Sequence, residues 1–414
     1  MTDNNPPEYR STTSPWAVFA HFDFFLVWSS GVATTLSMLV RTLVCTQWLY
    51  DTTGSAAQLG LLGVVQLVQL PMALYGGSLA DRMDRKTLMV LTQLVGTLLL
   101  VVLTILAAAD ALVPWHIFAA TGISSMANTL GSSARPAMLP RVVPRSLLTH
   151  AVTMLNATGQ LANVFGPILF WWLYAQLGVT LSFGVSAGIC LVSTILPMLI
   201  RASGKPEAAS RESIWKSLKE GVLFVMRHSL LPGIFLLDFG VTIVSFYRQL
   251  FPVFADHLYG LGAEGTGLLN TANAVGGIIG TFAVFYAGKF RQKGVLVLAA
   301  TLGYALFLIT FGLNTNFALG LVIVGILGMT DSITVTMRQA IVQLTTPDQL
   351  LGRAASMRTF AAMSANNLGQ VEVGMLSGII GAGNTMLIGG ILSVLFVAII
   401  WRLMPGISKY RYPE

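Results

Sequence analysis

Arg41, Arg248, Asp331 and Glu372 each lie well inside a stretch that is otherwise apolar, and these are the residues whose types could do chemistry. A charge at the centre of a bilayer-spanning helix costs roughly 2.5 to 3.5 kcal/mol on insertion scales, so each needs a partner or a task. Arg41 follows Asp23 by about five helical turns, which at about 1.5 Å per residue places it roughly 27 Å along a helix that continues toward Tyr50. Arg248 holds a similar position in a later run. Guanidiniums so placed could hold a carboxylate, catecholate or phosphate with two parallel hydrogen bonds. Snorkelling to the interface, or pairing with a neighbouring helix, is the competing use of the same side chains. Glu372 follows Arg358, and Asp331 follows Phe317, by about four helical turns each. At about 21 Å into its run, each needs a partner or a bound proton, which is what a proton-coupling site requires. A static ion pair is the competing reading. Asp238 is a shallower candidate for proton coupling, about a turn and a half inside, where a structural role competes, and Asp23 suits a helix start at the interface.

Amides add to this set. Asn270, Asn273, Gln160, Asn163, Asn366, Asn367 and Gln370 fall within apolar runs, where buried amides act as helix-to-helix glue or as ligand contacts. Asn270, Asn273 and Asn366 are the candidates for substrate contact. The five histidines, His21, His116, His150, His228 and His257, show no ligand spacing, so no metal site is expected. Cys45 and Cys190 are the two cysteines, each inside an apolar run, which argues against a disulfide framework or a thiolate metal site. No Gly-x-x-x-x-Gly-Lys-Ser/Thr loop is present to cradle a nucleotide phosphate, and no nucleophile and base converge, so neither an ATP-driven pump nor an enzyme is indicated.

The elements that must position these residues follow from composition. Of 414 residues, 54% are hydrophobic and only 10% charged, with 41 glycines, more apolar surface than a soluble domain of this length could hide. Breaking the chain at charged or Gly/Pro/Asn-rich turns gives twelve apolar runs, each close to the length of about 20 residues that spans a bilayer. Their approximate spans are 24–47, 58–79, 87–109, 115–139, 147–175, 178–200, 230–255, 265–288, 294–313, 316–340, 352–379 and 384–404. Turns at 51–57, 110–114, 176–180, 256–264, 314–316 and 380–384 contain no Lys or Arg, and nearly all of the 24 basic residues lie in the tails or the alternate turns. By the positive-inside rule both termini are cytoplasmic. The net charge of +7 is therefore a topology signal, and no nucleic-acid partner is expected.

The longest hydrophilic break splits the runs six and six. The expected organisation is a cytoplasmic tail (1–17), a six-helix bundle (18–200), a cytoplasmic linker with an amphipathic helix (201–228), a second six-helix bundle (229–405) and a cytoplasmic tail (406–414). Within the linker, Ile214, Leu218, Val222 and Val225 space the apolar face. The two halves are related: one constant offset in numbering superposes Arg135 on Arg338, Pro144 on Pro347, Leu147-Leu148 on Leu350-Leu351, Asn163 on Asn366 and Gly166 on Gly369. Two parallel six-helix repeats facing each other across a cavity are what this implies.

The charged turn Gly76-Gly77-Ser78-Leu79-Ala80-Asp81-Arg82-Met83-Asp84-Arg85-Lys86 resembles the loop between the second and third helices of the major facilitator superfamily of transporters. The resemblance implies an all-α integral membrane protein with twelve transmembrane helices in two pseudo-symmetric halves around a central cavity. Arg338-Gln339, Gln343 and Pro347-Asp348-Gln349-Leu350-Leu351-Gly352-Arg353, with Arg248 to Asp256, are similar to the branch that contains the enterobactin exporter and related drug and siderophore exporters. One departure is that Ala162, Phe170 and Trp171 stand where the antiporter pattern of the fifth helix has glycines.

In the family the first and seventh helices line the cavity, which implies that Arg41 and Arg248 reach substrate from opposite sides. It also implies a cytoplasmic gate of Gly77, Asp81, Arg82, Arg85, Lys86, Arg135, Arg338 and Arg353, whose contacts form when the cavity faces outward. The expected function is export of a small anionic or zwitterionic organic molecule, a siderophore-like metabolite or drug, by proton-coupled alternating access in the inner membrane. The proton gradient supplies the energy, with no cofactor, and the protein works as a monomer. An importer of the same fold (a symporter or uniporter) and a broad multidrug exporter are the alternatives.

Overall fold

A computed structural model describes residues 14–73, 83–205, 222–228, 230–287, 292–347 and 350–410. The described chain is helical throughout, with helices α1 (Phe22–Thr53), α2 (Ala56–Gln66), α3 (Arg85–Ala108), α4 (Pro114–Gly131), α5 (Ala134–Val142), α6 (Leu148–Ile195), α7 (Leu231–Val244), α8 (Gly262–Ala287), α9 (Lys293–Leu313), α10 (Phe317–Thr345), α11 (Leu351–Ile380) and α12 (Ala382–Leu403). Among the described residues nine helices are long and apolar enough to cross a membrane. One of these stretches, 145–199, carries the fifth and sixth expected runs, and Gly178 at φ +71° turns the chain between them. The fourth expected run is interrupted between α4 and α5, and the eleventh is the helix α11, less apolar because Arg353, Arg358 and Glu372 lie on it.

Polar side chains fasten the helices where apolar contact gives no preference over lipid. Ser30 and Ser37 on α1 donate to the carbonyls of Ser193 and Ser186 at 3.0 and 2.9 Å, holding α1 against the second part of α6. At the start of α1 the Asp23 carboxylate accepts from the backbone N–H of Arg201 (3.1 Å) and Ala202 (2.8 Å), so it works as a structural tie at the helix end. Asp84 caps α3 by accepting from the N–H of Lys86 and Thr87.

The two halves meet through α2 against α11 and α6 against α8. Glycine decides how closely. A Cβ at Gly63 would lie 2.5 Å from the Asn367 carbonyl oxygen, and one at Gly267 would lie 2.7 Å from the Trp171 Cβ. These approaches lie toward the end opposite the termini. Hydrogen bonds join the halves in the same region: Thr266 donates to Gln47 Oε1 (2.7 Å), Gln249 Nε2 to the Leu59 carbonyl (2.5 Å) and Asn367 Nδ2 to the Gln66 carbonyl (3.4 Å). Gln47 also donates to Asp51 Oδ1, whose other oxygen accepts from Tyr174, each at 2.7 Å. The bonds between the halves tie them together toward that end.

Candidate substrate-binding cavity

Helix α7 stops at Val244, and the chain continues as a 3₁₀ turn, Tyr247–Leu250. Pro252 has no N–H to offer the carbonyl four residues back, that of Arg248, and it stands in the first turn of the helical segment that follows, where the missing donor costs least. Backbone groups freed at membrane depth must find partners. The Tyr304 hydroxyl on α9 donates to the Ser245 carbonyl at 2.9 Å, and Asn273 on α8 donates to the Tyr247 hydroxyl. Arg248 is thereby presented on an irregular, well-anchored turn, its guanidinium 5.5 Å from the centre of the Phe246 ring, close enough for a cation–π contact.

Arg248 opens into a cavity of about 240 Å³ walled by α7, the turn after it, α9, α10 and α11. Five charged side chains line it: Asp238, Arg248, Asp331, Arg338 and Arg358, with Asn366 and Tyr304. Arg338 is 8% exposed and pairs with Asp238, Nη2 to Oδ1, at 2.8 Å. Thr242, one turn along α7, also faces Asp238 at 3.4 Å. That leaves Arg248, Arg358 and Asp331 without an ion pair among the described residues. Tyr247 and Tyr304 form one aromatic wall, their rings 6.1 Å apart. A wall with three guanidiniums to two carboxylates suits a ligand that brings negative charge.

Four of the expected site residues are therefore brought together here with Arg338: Arg248, Asp238, Asp331 and Asn366. Arg41 is not. Ser37, one turn earlier on α1, is bonded to α6, and the same face carries Arg41 toward Cys45 and Cys190 rather than toward Arg248. Asn270 donates to the Thr266 carbonyl of its own helix (2.9 Å) and Asn273 to Tyr247, so both act as internal ties outside the cavity wall. Glu372 is also outside that wall, with Oε2 buried and without a hydrogen-bond partner.

Among the gate residues, Arg85 donates to the Ala137 carbonyl (2.9 Å) and Lys86 to the Ile200 carbonyl (3.2 Å). Arg135 donates to Thr34 (2.8 Å), and Arg338 pairs with Asp238, so each of these contacts stays within one half. Gly77, Asp81, Arg82 and the side chain of Arg353 lie outside the described residues. Arg358 and the two tyrosines were not singled out by sequence. Arg358 had a signal, a charge inside the eleventh run, whereas nothing in sequence marks Tyr304 as the partner of a broken helix on α7.

The family profile described as Major Facilitator Superfamily matches residues 18–370. The enterobactin exporter EntS of Shigella boydii serotype 18 is 28% identical over 348 residues, covering 78% of this chain and 82% of the relative. EntS of Escherichia coli O1:K1 / APEC is similar to the same extent. In fold the chain is similar to a POT family transporter solved with 5-aminolevulinic acid (TM-score 0.75, 12% identity, 93% of this chain and 96% of the other). It is also similar to a bacterial homolog of the human lysosomal transporter Spinster, solved inward-facing and unoccupied (TM-score 0.72, 15% identity, 95% and 99%). Multiple membrane-spanning helices, a charged cavity in one half of the bundle and a profile match over most of the chain together lead to one conclusion: the chain belongs to the Major Facilitator Superfamily and is a multi-pass membrane transporter.

Proposed function

We propose that the protein exports a small anionic organic molecule across the inner membrane by proton-coupled alternating access. The observation that carries this reading is the cavity of about 240 Å³ in which Arg248 and Arg358 make no ion pair among the described residues. The similarity to enterobactin exporters supports the outward direction. With the termini cytoplasmic, as the distribution of basic residues favours, the far end, where the halves are tied, is the outer end and this conformer faces the cytoplasm. Substrate would enter from that side and engage Arg248, and the halves would then rock about α2–α11 and α6–α8.

Asp331 suits proton coupling because it shares the cavity with Arg248 and its carboxylate makes no hydrogen bond or ion pair among the described residues. An incoming anion and Asp331 would draw on the same guanidinium field, so that substrate binding and the protonation of Asp331 are coupled. Glu372 would serve the same end from outside the cavity. The test is flux in proteoliposomes containing an internal pH dye, with a panel of siderophores, organic acids and cationic dyes. Proton movement opposite to an organic anion, with Arg248→Gln raising KM for that anion at least tenfold, is the expected result. Co-directional movement, or transport of cations alone, would overturn it.

A further inference from the structure

The offset that carries Arg135 onto Arg338 in sequence also relates two cavities. A second cavity, of about 300 Å³, lies in the first half among α1, the turn at Ser132, α5 and α6. Eight lining residues of the Arg248 cavity, moved by that offset, fall on lining residues of this one. Ile234, Phe235 and Asp238 fall on Gly31, Val32 and Thr35; Val335, Arg338 and Val342 fall on Ser132, Arg135 and Leu139; Arg358 and Ala362 fall on Leu155 and Gly159. The walls are equivalent, but their charges are not. Arg135 keeps the place of Arg338, while the place of Asp238 is taken by Thr35 and that of Arg358 by Leu155.

Among the described residues Arg135 is therefore a guanidinium without its counter-ion. Its hydrogen bond among the described residues is from Nη2 to the Thr34 hydroxyl, and its Nε is buried with no partner. It is the one titratable group among the described residues lining this cavity. Trp28 stands on the wall with its indole N–H committed to Thr158 (2.9 Å), and Asn156 and Thr158 add polar atoms. A part-buried guanidinium with its Nε enclosed and no carboxylate partner among the described residues, in a cavity with an aromatic face, is built to receive an exogenous oxyanion. Burial of an unpaired charge is costly, and the second half shows how the same frame neutralises it when no ligand is required.

We propose that the Arg135 cavity is a binding site for an oxyanion on an organic molecule, so that the first half holds an acidic group of the cargo in addition to the one that engages Arg248. This rests on the transport reading above for the identity of the ligand as cargo, but not for the existence of the site.

The experiment is equilibrium dialysis of radiolabelled benzoate against the purified full-length protein in detergent, in an Arg248→Gln background so that the other cavity contributes less. Saturable binding is expected there, weakened at least tenfold by adding Arg135→Gln and weakened to a similar extent by adding Thr35→Asp, which supplies the carboxylate that the second half already has. Arg135→Lys is expected to retain binding within a few-fold. Thr35→Asp keeps Arg135, so it decides the matter if Arg135→Gln does not elute as a monodisperse species. Absence of saturable binding in the Arg248→Gln protein, or binding within threefold in both added variants, overturns the site. Arg135-dependent binding without flux of any organic acid in proteoliposomes would instead overturn the transport reading and leave the site standing.

Discussion

Placing a methyl group on Gly374 tests whether the close approach of α2 and α11 holds the far end shut. Gly374 faces α2 at its narrowest point: a Cβ there would lie 2.5 Å from the Gly60 nitrogen and 2.9 Å from the Ala56 carbonyl oxygen, and closer still to the Gly60 Cα. All three neighbours are backbone atoms of one helix, so no side chain can rotate away and the helices must separate. Overpacking of this kind costs about 1–3 kcal/mol. In a conformer with the far end open the two helices part and the methyl costs nothing, so the whole penalty falls on the closed state. At about 1.4 kcal/mol per factor of ten, Gly374→Ala should raise the open-to-closed ratio roughly 5- to 150-fold.

The reporter is Ser377→Cys in a protein whose two native cysteines, both buried, have been replaced. Ser377 is 5% exposed at the far end and its hydroxyl has no hydrogen-bond partner, so the thiol loses no bond and is shielded while the end is closed. Alkylation should be about tenfold faster with Gly374→Ala. Gly378→Ala is the control, because its Cβ would meet a side-chain methyl, that of Ala57, at 3.3 Å and can be accommodated by a small shift. It should change the rate by no more than about twofold. Equal rates for the two alanine variants, or no acceleration by Gly374→Ala, would refute the reasoning.

Other outcomes follow from the same geometry. Removing one partner of a buried ion pair typically costs about 3–5 kcal/mol, and because 26% of the Asp238 side chain is exposed, Asp238→Asn or Arg338→Gln should each cost about 2–3 kcal/mol in detergent unfolding. The double variant should cost at least about 1 kcal/mol less than the sum, and strict additivity would show that the pair contributes no coupling. Gln249→Ala removes the side-chain hydrogen bond to the Leu59 carbonyl that ties the halves together, a loss of about 1 kcal/mol, and should accelerate alkylation of the Ser377→Cys reporter several-fold. Glu372→Gln should abolish proton-driven transport while leaving substrate exchange measurable. Simultaneous loss of both would count against a pure coupling role.

Much of the architecture could be read from the chain because the bilayer imposes it. Any apolar run of about 20 residues must be helical, since no water is present to satisfy its backbone, and charged turns must lie outside. The residues of the cavity were legible for a related reason: a charge such as Asp331 or Arg248 in an apolar run has few places to go. The direction in which such a charge points was not legible. Arg41 and Arg248 read alike in sequence, yet Ser37 turns the face of α1 that carries Arg41 onto α6, whereas α7 stops at Val244 and leaves Arg248 on a turn facing the cavity.

The pairing of charges was equally hidden, because it joins positions far apart in the chain, as with Asp238 and Arg338. The repeat was visible as a constant offset between the halves, but not that this offset carries one cavity wall onto another with a carboxylate replaced by Thr35. The sequence by itself determined that the chain spans a membrane as two related halves, because hydrophobic length and charge placement are local properties that the solvent reads directly. Only the tertiary structure decided which charges share a cavity, which neutralise each other and which wait for a ligand, because those depend on helix rotation and on approaches between glycine faces that no local property fixes.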